Sequence, residues 1–523
     1  MITDHRDLLH RLWCEVLTLE TIGDDDDFFT VGGNSIKAMS LARRIERETG
    51  QRLRIADVLR ASTIRRQLSL LSTNKAHTGL TITPAPDTYY MASSIQLDFF
   101  LLDQMASREE RAHVTTVRLV EEGIAPGPAS LAFAQIVARH SLLRTKFSFR
   151  HGMIETEQTT AENCAHFSFH DITGSSLQSL YEHELHKPLD IQDGPLVRLV
   201  LAAIAPNRSA LLLSIHHIVS DGFSADILLD DFLAFLRGDH PSPVLLSDYR
   251  DYAHALEAWL DSEHGKRSRQ FWQQHFADFR APDAFTGRAI SARNCFVGGR
   301  ESFTLDPIVH ERLRTLCAAP NTGLFVVLQS SIKAFLYLET QAEDIVTGCA
   351  VSTRDAADLS GQVGPFMNTL PIRTRISCDR PLHSIIADVK EATLEAFDNK
   401  LVPLTTISGD LKRRDPLFDV GFTLQNHATA PDTSPTMPRR PPDHSELISA
   451  LLWFVAWERE DELTIDLHYR KGAFTSNEAR AIMDRFKYSL SLLLGAPDTP
   501  LSQLFPGPDL SSPGSIGFNF DTF

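Results

Sequence analysis

The chain has 523 residues, of which 43% are hydrophobic, so it is longer than one ordinary domain and we expect about two to four. Its formal net charge of −16 argues against a nucleic-acid partner, because contact with phosphates needs basic patches. The six cysteines are scattered without a C-x-x-C pair, and neither a signal-peptide core nor an apolar run of membrane-spanning length occurs. These features predict a cytoplasmic protein with no membrane partner and no disulfide or zinc framework.

Residues 1–72 are predicted to form a small all-helical unit. Apolar residues fall on one stripe between positions 4 and 19, and a second amphipathic helix is expected from about Ser35 to Glu48. Shorter helical pieces follow at 55–59 and 64–71. Residues 73–88 include Pro84 and Pro86 and lack a periodic pattern, so we predict a linker there.

From Tyr89 onward, helical segments alternate with aliphatic strands, which is the pattern of an α/β domain long enough for two lobes of similar size. The predicted helices cover 95–104, 129–140, 227–236, 326–336, 382–399 and 476–494. The predicted strands cover 196–204, 210–216, 364–375, 417–425 and 462–469.

Two adjacent histidines, His216 and His217, end the aliphatic strand ALLLSIH. Strand alternation predicts that their rings lie on opposite faces, so at most one can address a reaction centre. Asp221 and Gly222 then form a tight turn that can return a carboxylate toward an imidazole or an arginine, and Ser224 can cap the next helix. A buried structural histidine is the alternative interpretation. A metal site is disfavoured, because adjacent ligands on opposite strand faces do not converge.

The pattern H-H-x-x-x-D-G resembles the hallmark of condensation domains of nonribosomal peptide synthetases, which have the chloramphenicol-acetyltransferase-like fold. Close matches to other family motifs occur in the same order at 139–147, 249–259, 363–373 and 414–426, and looser ones at 93–104 and 399–407. The segment 399–407, NKLVPLTTI, lacks the family's usual Gln-Asp before the Val-Pro step. The resemblance implies an N-terminal lobe over 89–265, a C-terminal lobe over 266–505 and a flexible tail over 506–523.

The resemblance also implies roles for individual residues. His217 is implied to face the reaction centre as the catalytic histidine, whereas His216 is implied to be structural. Asp221 is implied to shape the site by pairing with an arginine rather than to abstract a proton. Arg354 is our first choice for that partner and Arg144 is the second.

Two further positions are implied to belong to the same site. Gly222 completes the histidine motif, where it leaves room for the close passage of another group. Asn368, in the segment PFMNT, resembles a residue that lines the same channel. A loop amide that satisfies backbone groups is an equally good interpretation of Asn368.

The segment FFTVGGNSIKAM places Ser35 in the first turn of a helix. An N-cap serine is one interpretation, and a nucleophilic serine is disfavoured because no histidine or acid lies in a local arrangement to activate it. A helix N-terminus also suits a phosphodiester, since free N–H groups and the dipole favour an anion. The segment resembles the carrier-domain motif, in which this serine bears 4′-phosphopantetheine. Asn34 departs from the usual histidine or aspartate, and Ile36 and Met39 are implied to contact partner domains.

Together the two resemblances imply a carrier domain, a linker and a condensation domain. They imply acyltransfer from a thioester on the Ser35 arm to an amine, giving an amide, or to a hydroxyl, giving an ester. The implied partners are an upstream loading enzyme or adenylation domain, a phosphopantetheinyl transferase, and an acceptor carrier protein or a small-molecule nucleophile. The alternatives are an epimerisation domain that follows a carrier and a catalytically silent recruitment platform.

The lack of an adenylation segment is compatible with an excised piece of a synthetase and with a freestanding protein, and Met1 slightly favours the second. For a freestanding protein, the aromatics of the terminal segment IGFNFDTF are candidates for a docking motif. A frayed terminus is the alternative interpretation.

Overall fold

The structure is a computed structural model, and the residues that it describes are 5–28, 30–33, 35–49, 58, 61–72, 80–86, 91–105, 113–120, 122–151, 153–159, 165–173, 175–241, 245, 247–280, 297–317, 322–354, 359, 361–413, 415–425, 450–459 and 462–505. The expected tail at 506–523 lies outside these residues, as do Asn34, the side chains of Ser35, Ile36 and Met39, and all of the expected helical piece at 55–59 except Val58. Of the expected linker, 80–86 is described.

The N-terminal unit packs helices around one aromatic centre. Trp13 is fully buried, its ring centroid lies 4.9 Å from that of Phe28, and its indole N–H donates to Gln67 Oε1 at 2.9 Å. Because the apolar stripe of the first helix faces this centre, the described residues of the unit share a hydrophobic core of their own. The helices described in this unit are α1 (His5–Leu17), α2 (Ser35–Thr49) and α3 (Ile64–Ser72).

The first lobe is built on a four-stranded sheet in the order β1-β6-β5-β4, in which only the β4–β5 pair is parallel. A separate hairpin pairs β2 with β3. The strands are β1 (His113–Val120), β2 (Thr145–Arg150), β3 (Met153–Gln158), β4 (Ala165–Asp171), β5 (Val197–Ala205) and β6 (Arg208–His216). The helices of this lobe are α4 (Ser94–Met105), α5 (Pro126–Arg139), α6 (Leu177–Leu185), α7 (Gly222–Leu236) and α8 (Tyr249–Asp261).

The second lobe is built on a six-stranded mixed sheet in the order β7-β12-β11-β10-β8-β9, with β10 parallel to both neighbours. In its core, the ring centroid of Phe486 lies 5.4 Å from that of Phe335 and 4.9 Å from that of Phe454. The strands are β7 (Gly298–Thr304), β8 (Asp344–Ser352), β9 (Met367–Arg375), β10 (Val420–Gln425), β11 (Leu452–Arg459) and β12 (Glu462–Arg470). The helices are α9 (Glu263–His275), α10 (Pro307–Cys317), α11 (Leu324–Thr340), α12 (Leu382–Asp398), α13 (Leu404–Asp410), α14 (Ser476–Gly495) and α15 (Leu501–Leu504).

The predicted helices and strands beyond Tyr89 correspond to observed ones, with differences at their ends. The helix expected at 227–236 begins already at Gly222, and the strand expected at 364–375 begins only at Met367. The residues before it belong to the first lobe's core, where Leu359, Val363 and Phe366 are buried. Apolar residues favour burial without specifying which core receives them, so the pattern extended the strand too far.

The chain passes from one lobe to the other through a tight corner between α8 and α9. Tyr252 of α8 is buried in the first lobe's core, whereas Trp272 of α9 is buried in the second lobe and donates to Asn399 O at 3.1 Å. A Cβ atom on Gly265 would lie 2.2 Å from the Trp259 carbonyl oxygen, so this corner requires glycine. In the described part of the chain, none of the helices has the length and apolarity needed to span a bilayer.

Candidate functional site

The histidine motif lies where β6 gives way to a short 3-10 turn, His217–Val219. The His216 ring is fully buried, its Nδ1 accepts the Ile218 N–H at 3.1 Å, and its Nε2 lies 3.2 Å from Asp103 Oδ1. Since Nδ1 accepts a hydrogen bond, it carries no proton, and the Nε2 proton is directed at the Asp103 carboxylate. His216 therefore uses both ring nitrogens to fix the turn.

His217 is half-buried, and its ring stacks on Phe99 with 5.4 Å between centroids and 9° between planes. β6 ends at His216, so strand alternation does not extend to His217, and each ring contacts α4: His216 through Asp103 and His217 through Phe99. The two environments nevertheless differ, since only His216 is enclosed by the core. Gln96 of the same helix donates to Ile218 O at 3.1 Å, which adds a third contact to the turn.

Sequence reasoning did not single out Gln96, Phe99 or Asp103. They follow an i, i+3, i+7 spacing, which puts them on one face of α4. The available signal was that Gln96 and Asp103 place two polar residues on this one face of the helix. A fourth residue of the helix, Asp98, is partly buried, and this burial raises the pKa of its carboxyl to about 7.

Asp221 is the N-cap of α7, so the expectation that Ser224 caps this helix is wrong. Asp221 Oδ1 accepts from the Ser224 N–H at 2.9 Å and from Ser224 Oγ at 2.8 Å, and Ser224 Oγ accepts from the Asp221 N–H at 3.1 Å. This reciprocal arrangement is a capping box with Ser224 as the third helical residue. Gly222 is the first residue of the helix rather than part of a free turn.

Arg354, which follows β8, forms a buried, bidentate salt bridge with Asp221. Its Nε lies 2.7 Å from Oδ2 and its Nη2 lies 2.8 Å from Oδ1, with side-chain exposures of 2% for Arg354 and 4% for Asp221. Arg354 Nη1 also donates to the carbonyls of Leu359 at 3.0 Å and Gln362 at 2.7 Å. Arg144, the second choice, donates instead to the carbonyls of Val137 and Thr159.

The ion pair joins the two lobes beneath the histidine turn. Arg354 donates to both oxygens of the Asp221 carboxylate, and Ser224 donates to Oδ1. The Arg354 guanidinium lies 4.4 Å from the Phe366 ring centroid. Both carboxylate oxygens are therefore occupied by contacts within the protein. The geometry therefore suits orientation of the turn by Asp221.

Asn368 is occupied by backbone groups. Its Nδ2 donates to the Lys400 and Val402 carbonyls at 2.8 and 2.7 Å, and its Oδ1 accepts from the Thr369 and Leu404 N–H groups at 2.8 and 3.3 Å. These four hydrogen bonds use both N–H donors of the side-chain amide and both lone pairs of its oxygen. The contacts correspond to the interpretation of a loop amide that satisfies backbone groups.

The region around Ser35 fits an anionic attachment. The helix α2 begins at Ser35, and its first turn contains no acidic residue. The preceding Gly33 donates its N–H to Phe28 O at 2.8 Å, and a Cβ there would lie 2.3 Å from the Phe28 ring. A helix N-terminus without a competing carboxylate provides free N–H groups and a favourable dipole for a phosphodiester.

The two-lobed fold and its H-H-x-x-x-D-G turn define the chloramphenicol-acetyltransferase-like class. Comparison with protein families agrees: the family described as Condensation domain matches residues 87–511, and the one described as Phosphopantetheine attachment site matches residues 7–71. The chain therefore belongs to the condensation-domain family, as a carrier followed by a condensation domain of the nonribosomal peptide synthetase type.

Similar proteins are large synthetases and excised condensation-type domains. Gramicidin S synthase 2 of Brevibacillus brevis is 27% identical over 510 residues, covering 95% of this chain and 11% of that protein. The X-domain solved in complex with OxyB from teicoplanin biosynthesis superposes with a TM-score of 0.70 at 22% identity, covering 84% of this chain and 99% of that one. The first condensation domain of the calcium-dependent antibiotic synthetase gives 0.64 at 18% identity, covering 80% and 99%. The chain thus spans 11% of the length of gramicidin S synthase 2, and between 7% and 20% of other synthetases that it matches.

Proposed function

We propose that the chain is an acyltransferase that condenses a donor thioester, carried by its own N-terminal domain, with a nucleophilic acceptor. The observation that carries this proposal is the intact histidine motif, with His217 on a turn fixed by α4 on one side and by the Asp221–Arg354 pair on the other. We propose the carrier at 1–72, the linker at 73–88, the lobes at 89–265 and 266–505, and the tail at 506–523.

We propose Ser35 as the attachment point for 4′-phosphopantetheine, which supplies the thiol that holds the acyl group when it is bound. The helix α2 contributes its N-terminal N–H groups near the phosphate. Tethering of the donor makes its encounter with the second domain effectively intramolecular, at an effective concentration of about millimolar for a flexible linkage.

His217 acts on the nucleophile. We propose that it orients the acceptor and accepts the proton released as the bond to the acyl carbon forms. An α-amine has a pKa of about 8 and is already partly neutral at cellular pH, so positioning of the amine supplies much of the rate of amide formation. A hydroxyl is un-ionised there and depends on a general base. Loss of His217 should therefore impair ester formation more than amide formation.

The test is acyl transfer by the loaded full-length protein, followed by intact mass. The protein is phosphopantetheinylated and acylated, then offered an amine or a hydroxyl acceptor, and the product mass separates amide from ester. Wild type should transfer to both acceptors, whereas His217→Ala should lose transfer to the hydroxyl and retain only part of the transfer to the amine. His166→Ala is the matched control, because His166 is an exposed histidine on β4 of the same lobe. Equal transfer by wild type and His217→Ala would contradict the proposal.

The partners belong to the proposal as well. A separate loading enzyme or adenylation domain activates the donor, a phosphopantetheinyl transferase modifies Ser35, and the acceptor arrives on a carrier protein or as a small molecule. The length of the related synthetases, several times that of this chain, supports activities supplied by other domains.

A recruitment platform is the second candidate function. The observation that favours it is the similarity of fold to the X-domain that was solved in complex with OxyB. Loading without transfer to any acceptor, together with binding of another enzyme, would favour the platform. Deuterium uptake by the loaded acyl group in D₂O, without transfer, would instead indicate epimerisation.

A further inference from the structure

We propose that Asp103 is a positioning residue for the reaction and that it acts on His217 through His216. This inference rests on the proposed function for its kinetic consequence, but its geometric content is independent. Asp103 lies on α4 and is 113 positions before His216 in the sequence. It contacts the histidine that does not face the reaction centre.

The pair is closed to solvent. The side-chain exposure is 0% for His216 and 1% for Asp103, and Nε2 lies 3.2 Å from Oδ1. A buried N–H needs an acceptor, and loss of the acceptor leaves an unsatisfied donor in the core. Asp103 therefore determines which ring nitrogen of His216 carries the proton.

The position of that proton decides whether the turn can form. With the proton on Nε2, Nδ1 is free to accept the Ile218 N–H at 3.1 Å. With the proton on Nδ1, two donors would face each other and this bond would be lost. Ser220 Oγ also donates to the His216 carbonyl at 2.9 Å, so two residues that follow His217 are bonded to His216.

The same helix also fixes the His217 ring. Phe99, one turn before Asp103 on α4, stacks on that ring, and Gln96 bonds to Ile218 O. A change at the Asp103–His216 contact therefore shifts the backbone of the turn relative to the surface on which His217 lies. A displacement of about 1 Å at a reacting group costs on the order of 100-fold in rate.

The kinetic test compares two substitutions of Asp103 with a matched control. Asp103→Ala removes the acceptor, and we expect kcat for acyl transfer to fall by about 100-fold with the acceptor KM close to wild type. Asp103→Asn keeps an oxygen that can accept from Nε2, and its kcat should stay close to wild type. Asp231→Ala is the control, because Asp231 lies 2.9 Å from Nε2 of His140, another buried histidine of this lobe. Equal losses of kcat in Asp103→Ala and Asp231→Ala would overturn the proposal.

A spectroscopic arm separates this inference from the proposed function. In protein labelled with ¹⁵N-histidine, wild type and Asp103→Asn should both show a neutral His216 ring protonated at Nε2. Asp103→Ala should lose this signature and shift the His217 ring signals, whereas Asp231→Ala should change neither. If wild type transfers no acyl group, the proposed function is wrong, but the histidine spectra still show whether Asp103 positions His216 and His217. Unchanged His216 and His217 signals in Asp103→Ala would refute this positioning.

Discussion

Removal of one partner from the Asp221–Arg354 pair should destabilise the protein far more than removal of a surface ion pair. Arg354→Met leaves the Asp221 carboxylate buried with only the capping bonds from Ser224, and a broken buried pair costs about 3–5 kcal/mol. The carbonyls of Leu359 and Gln362 also lose donors, at about 1 kcal/mol each. The total of about 5–7 kcal/mol is comparable with the whole stability of many domains.

The measurement is a double-mutant cycle followed by urea unfolding. Asp221→Asn preserves the helix cap, because asparagine is as good an N-cap residue as aspartate. It leaves the Arg354 guanidinium without an ionic partner. The double variant leaves neither charge unpaired, so it should be at least as stable as Arg354→Met alone, with a coupling energy of at least about 2 kcal/mol. Additive effects of the two substitutions would refute this reasoning.

A second buried pair provides the control for activity. Arg198 Nε lies 2.6 Å from Glu184 Oε2, with side-chain exposures of 4% and 0%, and this pair lies on β5 and α6. Arg198→Met should lose less stability than Arg354→Met, because Lys187 Nζ still lies 2.8 Å from Glu184 Oε1, and it should retain acyl transfer wherever it is folded. Arg354→Met should lose transfer even in its folded fraction, because the histidine turn is displaced.

Three further effects are expected. The pKa of the Asp98 carboxyl is raised from 3.8 to about 7 in the folded state. Between these two pH values the folded protein keeps the carboxyl proton and the unfolded chain does not, so the free energy of unfolding falls as the pH rises from about 4 to about 7. Asp98→Asn should remove this loss and unfold at higher urea than wild type at pH 8 but not at pH 4, by about 1–2 kcal/mol after screening at a partly exposed site. Burial lowers the pKa of the Lys333 ammonium from 10.5 to about 7, so the contribution of Lys333 to stability rises as the pH rises above 7. In the same assay, the stability of wild type relative to Lys333→Met should increase by up to about 1.4 kcal/mol per pH unit between pH 7 and 10. Gly265→Ala should lower the Tm, at a cost of roughly 1–3 kcal/mol, because its Cβ meets Trp259 O, whereas Gly409→Ala, whose Cβ meets nothing within 4 Å, should not.

The elements of the fold follow from local patterns in the sequence, and part of the site follows from the motif. The helices and strands after Tyr89 obey helical and strand periodicity, which depends on neighbours in the chain. The pairing of Arg354 with Asp221, 133 positions away, was the first choice only because the motif order resembles a known family. Spacing alone does not identify such a partner.

Hydrophobic periodicity does not predict contacts between segments that are far apart in the sequence. Asp103 and His216 are each unremarkable in sequence, and their pairing depends on how α4 crosses the end of β6. β6 ends at His216, as the strand pattern predicts, but periodicity does not predict the 3-10 turn that begins at His217. Capping chemistry was misassigned to Ser224 because serine and aspartate are both good caps and only the geometry distinguishes them.

The burial of Leu359, Val363 and Phe366 in the first lobe has a consequence for how such proteins recombine. Phe366 contacts Tyr249 and Tyr252 of α8 at centroid distances of 5.0 and 4.8 Å, although it lies about a hundred positions beyond the crossing between the lobes. A chimera that joins the first lobe of one synthetase to the second lobe of another would insert a foreign segment into this aromatic cluster. Productive exchanges should therefore carry α8 and residues 359–366 from the same parent, so that the two lobes are inherited together.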